Sequence, residues 1–230
     1  MNSKTYTYDY PRPAVTTDCV IFGFDKMGLS VLLIERGIEP FKGNWAFPGG
    51  FLKMDEDAES GARRELREET GFETAVIEQF GTFSEVDRDP RGRVITIAYY
   101  ALVQKGDVVG GDDAAQARWF PINEVPQLAF DHDRILRVAL KTLKEKIHFQ
   151  PIGFELMPKV FTMPQLQYLY ESILDVKFDR WNFSKKMLKL GLVTEVDDGV
   201  PRKGTRNPIK YRFNEEQYEL MKSSGFRIEF

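Results

Sequence analysis

The sequence predicts an α+β chain: a mixed sheet sandwiched by helices, then a smaller winged helix-turn-helix unit. Three observations lead there. Strand-like runs fill residues 17–121 with one strongly helical stretch among them. A second helical pattern begins near residue 133. Beyond residue 150, two amphipathic helices precede two short strands that flank a basic loop. Pro151-Ile152-Gly153 reads as a linker, dividing the chain into residues 1–150 and 151–230.

Thr17–Phe24 and Leu29–Arg36 alternate β-branched and apolar residues around Asp25-Lys26-Met27-Gly28, a hairpin turn. Residues 58–70 are rich in helix formers. Asp57 stands where an N-cap is wanted and Gly71 where a left-handed C-terminal residue is wanted. Strand signals return at residues 75–83, 94–103 and 117–121, and residues 133–146 form a second helix. In the second unit Thr162 and Pro164 open a helix whose Leu166, Leu169, Tyr170 and Ile173 make one apolar stripe. A further helix over residues 179–190 buries Phe183, Met187 and Leu190, which leaves Arg180, Lys185, Lys186 and Lys189 outside that stripe. Strands at 192–196 and 210–213 flank a loop with Arg202, Lys203, Gly204 and Arg206. Helix, helix and basic wing is the order of a winged helix-turn-helix.

With 42% hydrophobic residues among 230, the chain can bury a substantial core, and its formal charge of −3 excludes a global basic field. The charge is uneven, however. Lys159 to Arg212 holds 11 basic against 6 acidic residues, a local nucleic-acid footprint. Cys19 stands in an apolar run, as a core residue of a reducing compartment would. Met1 to Arg12 is polar and aromatic, unlike a secretory leader. No apolar stretch approaches the roughly 20 residues that span a bilayer. A cytoplasmic protein with no membrane partner is expected.

Chemistry concentrates in residues 50–72. Gly50, Glu56, Arg64, Glu65, Leu66, Glu68, Glu69, Gly71 and Phe72 all fall in the register G-x5-E-x7-R-E-U-x-E-E-x-G-U, where U is apolar. On a helix turning about 100° per residue, Glu65, Glu68 and Glu69 share one face beside the apolar stripe of Ala62 and Leu66. Carboxylates so placed repel one another and are poorly hydrated. Mg²⁺ removes that cost, because it takes oxygen ligands and is usually shared with substrate phosphates. The competing reading is a solvated helix laced by Glu59–Arg63 and Arg64–Glu68 pairs. Upstream, Trp45-Ala46-Phe47-Pro48-Gly49-Gly50 ends in a turn that lets backbone approach a ligand.

This register resembles the box of the Nudix hydrolases. The resemblance implies a Nudix fold over roughly residues 15–148 and a Mg²⁺ (or Mn²⁺) centre. It also implies Glu65 and Glu69 as metal ligands, Glu68 as a further ligand or the base, the Gly49 carbonyl on the metal, Arg64 orienting the carboxylates and Glu56 in support. The reaction implied is attack of water on a diphosphate. The stretch Arg88-Asp89-Pro90-Arg91-Gly92-Arg93 before an apolar strand ending in tyrosines is similar to ADP-ribose pyrophosphatase-like members, as is Phe130-Asp131-His132. Arg36, Arg91 and Arg93 are candidate contacts to a nucleoside diphosphate derivative. His132 either binds the ligand or caps the following helix. A base could also come from a late loop, where Asp112, Asp113 and Glu124 stand. Phe161, Thr162, Gln165 to Gln167 and Asn182-Phe183 resemble the C-terminal domain of Nudix-related transcriptional regulators. In these, a Nudix-fold domain that senses a nucleotide such as ADP-ribose, or in some branches a sugar, alters the DNA affinity of a homodimer. That resemblance implies double-stranded DNA as a partner of Lys185, Lys186, Lys189, Arg202, Lys203 and Arg206. Two functions therefore compete: a metal-dependent diphosphatase carrying a DNA-binding appendage, and a regulator whose Nudix domain only senses its ligand.

Overall fold

The computed structural model describes residues 6–73, 76–106, 114–150, 152–153, 155–197 and 208–224. Strands β1 (Ala14–Asp25) and β2 (Gly28–Arg36) form the expected hairpin, with Gly28 at a φ of 99° that favours glycine. Next come β3 (Trp45–Ala46), β4 (Gly49–Phe51), helix α1 (Ala58–Thr70), β5 (Glu78–Phe83), β6 (Val94–Gln104) and β7 (Ala114–Pro121). Helix α2 (His132–Lys146) completes the first unit. Among the described residues the main sheet has seven strands in the order β3-β2-β1-β6-β5, with β4 also on β1 and β7 also on β2. β1 pairs in parallel with β6 and antiparallel with β2, so the sheet is mixed as expected.

Strand β1 explains the layering. Cys19, Val20, Ile21 and Phe22 are all 0% exposed, because successive side chains point to opposite faces and both faces are covered. Cys19 and Ile21 pack with Ala62 and Leu66 of α1, and Val20 and Phe22 with Ile135, Ala139 and Leu143 of α2. The cap of α1 is the one expected: Asp57 Oδ1 accepts the Ser60 N–H at 2.8 Å, and Gly71 has a φ of 65°.

The second unit comprises β8 (Phe161–Thr162), α3 (Met163–Leu174), α4 (Arg180–Lys189), β9 (Val193–Glu195), β10 (Lys210–Phe213) and α5 (Glu215–Ser223). β10 lies between β8 and β9 in a three-stranded sheet. Leu166, Leu169, Tyr170 and Ile173 are buried as their spacing required, as are Phe183 and Met187. The strand expected from residue 75 begins at Glu78, and the short strands β3, β4 and β8 and the helix α5 carry no readable period. The segment read as a linker is not a solvated one. Ile152 is 5% exposed and belongs, with Leu156 and Met157, to one core running from Phe22 and Val31 through Leu143 to Leu166, Tyr170 and Phe183. Gln104 Nε2 donates to the Met157 carbonyl, and the Phe24 and Tyr168 rings stand 5.7 Å apart across the same boundary.

Leu66 is 1% exposed and anchors α1 to the sheet. Leu66→Ala is expected to cost about 2–5 kcal/mol in urea unfolding, whereas the exposed Arg67→Ala changes stability by under about 0.5 kcal/mol.

Candidate ligand-binding and metal site

Docking of α1 through Leu66 turns its glutamate face toward the end of β1 and the Trp45–Phe51 segment. Glu69 is 7% exposed, and its Oε2 accepts the Gly49 N–H at 2.8 Å. The approach is close: a Cβ on Gly50 would meet Glu65 Oε1 at 2.4 Å, and one on Gly49 would meet the Thr17 carbonyl at 2.1 Å. Gly49 is thus required by proximity to the β1 backbone, and Gly50 lets the Glu65 carboxylate lie against the chain. Burial pushes the Glu69 carboxyl up to about 8, against the pull of the Gly49 N–H. Burial also raises Glu65, though Arg64 opposes it.

Arg64 ties the rest of the box together. Its Nη2 donates to Glu56 Oε1 at 2.6 Å, and its Nη1 reaches Glu65 Oε1 at 2.7 Å and Glu68 Oε2 at 2.9 Å. These partners hold the guanidinium charged, Glu56 foremost. Glu56 also accepts the Lys53 N–H, which closes the turn before α1.

A cavity of about 360 Å³ opens over these groups, within the ~300–1,000 Å³ usual for small-ligand sites. Glu65, Glu69, Asp18 and Gly49 form one wall; Arg36, Arg88, Arg91, Phe51 and Phe130 form another. Arg91 is oriented by Asp89, whose Oδ2 accepts from its Nη2 at 2.7 Å, and its guanidinium lies 4.8 Å from the Phe51 ring and 5.4 Å from that of Phe130. Phe130 adopts a φ of 54°, unusual for a bulky residue, and Arg36 also sits over its ring at 4.8 Å.

The expected residues do not all converge. Arg93 does not line the cavity; its Nη1 donates to the Ser84 and Glu85 carbonyls at 2.7 and 3.1 Å, so it braces the loop instead. Glu68 also stays out of the cavity lining, on Arg64. Glu124 is exposed in a single 3₁₀ turn after β7, away from the cavity, and Asp112 and Asp113 lie outside the described residues. His132 is not a cap: Asp131 holds the N-cap position of α2. His132 is 4% exposed, lines the cavity and accepts the Phe47 N–H on Nδ1 at 3.0 Å. A ring that accepts on Nδ1 carries its proton on Nε2, which stands 3.5 Å from Asp18 Oδ1. Burial holds this imidazole below its ordinary value, hence neutral.

Sequence reasoning missed a buried pair in the cavity lining, Arg88 and Asp18. Arg88 is buried, reaches Asp131 through Nε and Nη2 at 3.1 and 2.7 Å, and lies 3.8 Å from Asp18. Asp18 accepts from Thr96 Oγ1 at 2.6 Å. The available signal was an acidic residue inside an apolar strand run, which requires a buried partner.

The donor chemistry suits a hard divalent cation, since Glu65 and Glu69 are oxygen donors whose charge is poorly solvated. Among the described residues, no three His, Cys, Asp or Glu groups stand close enough to hold a metal ion as placed; Arg64 draws Glu65 and Glu68 to itself. In the second unit, Lys185 and Lys189 are exposed on α4 and Lys186 is half-buried. Arg202, Lys203 and Arg206 lie outside the described residues.

The NUDIX domain model matches residues 12–139. The chain belongs to the Nudix family. The NrtR DNA-binding winged helix domain matches residues 153–213, so a Nudix domain is fused here to an NrtR-type winged helix. The chain is 34% identical over 217 residues to the ADPR responsive transcriptional repressor NtrR of Acinetobacter baylyi, covering 92% of this chain and 86% of that one. It is 44% identical over 128 residues to the ADP-ribose pyrophosphatase of Methanocaldococcus jannaschii, covering 56% of this chain and 73% of the enzyme. The crystal structure of Shewanella oneidensis NrtR complexed with a 27mer DNA superposes with a TM-score of 0.70 at 26% identity, over 93% of this chain and 97% of that one. No helix among the described residues of this Nudix protein is long and apolar enough to cross a membrane.

Because Glu69 is raised from 4.5 to about 8, the folded chain keeps a proton that the unfolded chain releases between those values. This carboxyl therefore removes stability as pH rises through that window. In metal-free buffer, Glu69→Gln is expected to raise Tm relative to wild type at pH 8, with the difference shrinking toward pH 5. Calorimetric scans across the window check it, and an equal difference at both pH values would count against the buried carboxyl.

Proposed function

We propose that this chain is a DNA-binding regulator responsive to ADP-ribose or a related nucleoside diphosphate sugar, whose Nudix pocket also hydrolyses the diphosphate with Mg²⁺ or Mn²⁺. One observation carries the proposal: Glu65 and Glu69 of an intact box line the same cavity as Arg36 and Arg91. Support comes from the chain's similarity, along most of its length, to a protein named as an ADPR-responsive repressor, and from the ADP-ribose pyrophosphatase that matches its first unit.

In this reading Arg36 and Arg91 hold the diphosphate, Phe51 and Phe130 flank its organic part, and Glu65, Glu69 and the Gly49 carbonyl would hold the cation. The bound cation would neutralise phosphate oxygens and acidify a water. Arg64 keeps Glu65 and Glu68 aligned on α1. His132 fixes the Phe47–Gly49 backbone that carries the cation's carbonyl donor and the N–H on Glu69. Residues 151–230 form the DNA-binding unit, and the working species is a cytoplasmic homodimer, since dimeric helix-turn-helix proteins read paired half-sites.

The second reading, a sensor without hydrolysis, is favoured by Arg64, which already engages Glu65 and Glu68. Incubation with ADP-ribose and Mg²⁺, followed by chromatography for AMP and ribose 5-phosphate, separates the two. Wild type is expected to turn over and Glu69→Gln to lose roughly 100-fold or more in kcat while still binding ADP-ribose. Binding without any wild-type turnover sinks the enzymatic half and leaves the sensor.

Arg91→Ala is expected to weaken ADP-ribose binding roughly tenfold or more in calorimetry, the size of a lost charge-assisted hydrogen bond. Arg93→Ala, outside the cavity, leaves Kd unchanged. Equal losses from both would place the anion on the loop and not in the cavity.

A further inference from the structure

Helix α4 presents an indole where its neighbours are cationic. With Phe183 and Met187 buried against α3, a turn of about 100° per residue puts Trp181, Lys185 and Leu188 on the opposite side. Trp181 is 66% exposed and Leu188 48%, and the Lys185 ammonium lies over the indole 4.5 Å from the ring centroid. The core of this unit does not use the ring: Phe183 packs on Tyr170 and Phe178 without it. An exposed tryptophan leaves one of the largest apolar side-chain surfaces in water. Its position is also specific, since it sits in the first turn of α4, after the Asp179 N-cap, on a helix that also exposes Arg180, Lys185 and Lys189.

We infer that Trp181 is a specificity-determining residue of the DNA interface, reading the 5-methyl group of a thymine in the major groove. The inference rests on the DNA-binding reading of residues 151–230. In a helix-turn-helix the N-terminal part of the second helix meets base edges, and the surrounding cations meet phosphates. An indole has no hydrogen-bond acceptor and a single N–H donor, so most of what it offers a base edge is apolar contact. Thymine alone presents an apolar group in the major groove. The Lys185 ammonium, held over the ring in the free protein, is placed to move to a phosphate as the methyl group takes up the exposed face. Leu188, one helix turn beyond Lys185, extends the apolar surface along the groove. Division of labour follows: Lys185 and Lys189 give affinity without sequence preference, and Trp181 discriminates one base pair.

The test uses the full chain. A duplex enriched by wild-type protein from a randomised library is resynthesised with each thymine replaced in turn by uracil, which lacks only the methyl group, and binding is read by fluorescence anisotropy at fixed salt. One replacement is expected to weaken wild-type binding roughly three- to fivefold, the worth of one buried methyl group. The same replacement leaves Trp181→Ala and Trp181→Arg unaffected, while both variants bind random duplex within about twofold of wild type or tighter. Two variants guard against misfolding, which circular dichroism would reveal. If every uracil duplex binds wild type as tightly as its thymine parent, or the variants keep the same sensitivity, the inference fails while DNA binding stands. If Trp181→Ala changes only the oligomeric state, the ring belongs to an interface between copies and the inference fails. If wild type enriches no duplex and binds none, the DNA-binding reading falls and takes this inference with it.

Discussion

A carboxylate buried against backbone organises this molecule. Glu69 is 7% exposed, accepts the Gly49 N–H, and carries a carboxyl raised to about 8, while Glu65 and Glu68 share Arg64. A helix that buries such a group loses free energy unless something else gains from the arrangement. Here Ala62 and Leu66 supply the gain by docking on Cys19 and Ile21, and that docking leaves Glu69 no route to water except the cavity. The glycine pair is the other half of the constraint. A side chain at 49 would push the segment off Thr17 and Asp18 of β1, and one at 50 would displace the Glu65 carboxylate.

The rest of the lining rests on a different device. Arg88 and Asp18 are charged groups inside the protein, and each is tolerated because the other is near and because Asp131 and Thr96 complete their hydrogen bonds. This network joins β1, the loop before β6 and the start of α2. His132, one residue past Asp131, then fixes the Phe47 N–H. Glu69 on the Gly49 N–H and His132 on the Phe47 N–H thus tie α1 and α2 to the same short segment.

The helix α1 was legible because its information is local: Asp57, Gly71 and the spacing of Ala62 and Leu66 suffice. The hairpin and the stripes of α3 and α4 were legible for the same reason. β3, β4 and β8 were not, because two or three residues hold no period and their strand character comes from register with β2, β1 and β10. The box register named the helix face but not the partner of each acid: that Arg64 takes Glu65 and Glu68, leaving Glu69 to Gly49, depends on the packing angle of α1. Likewise, spacing cannot say which arginine of the loop faces a ligand. Arg91 is turned inward by Asp89, two residues away, and Arg93 outward by carbonyls eight and nine residues away. Asp18 and Arg88 are seventy positions apart, and nothing local marks either as a partner of the other.

The buried connection between the units bears on how a ligand in the pocket could reach DNA. A solvated linker would let the winged helix move independently, and occupancy of the pocket would then alter nothing beyond it. Instead, Ile152, Leu156 and Met157 are core residues, and α2 spans the distance between the two sites. Its first residue, His132, lines the cavity, and Leu143 near its end shares a core with Leu166 and Tyr170 of α3. Coupling requires that a ligand contact two arrangements of such an element differently. A ligand that draws on Arg91 or Phe130 acts three residues from Arg88 or one from Asp131, the clamp that holds the N-terminus of α2. An apolar core resists gradual deformation, so a change at that clamp would reach the far end of α2 as a displacement of a rigid helix. It would arrive at α3, on which α4 packs through Phe183 with its basic face outward.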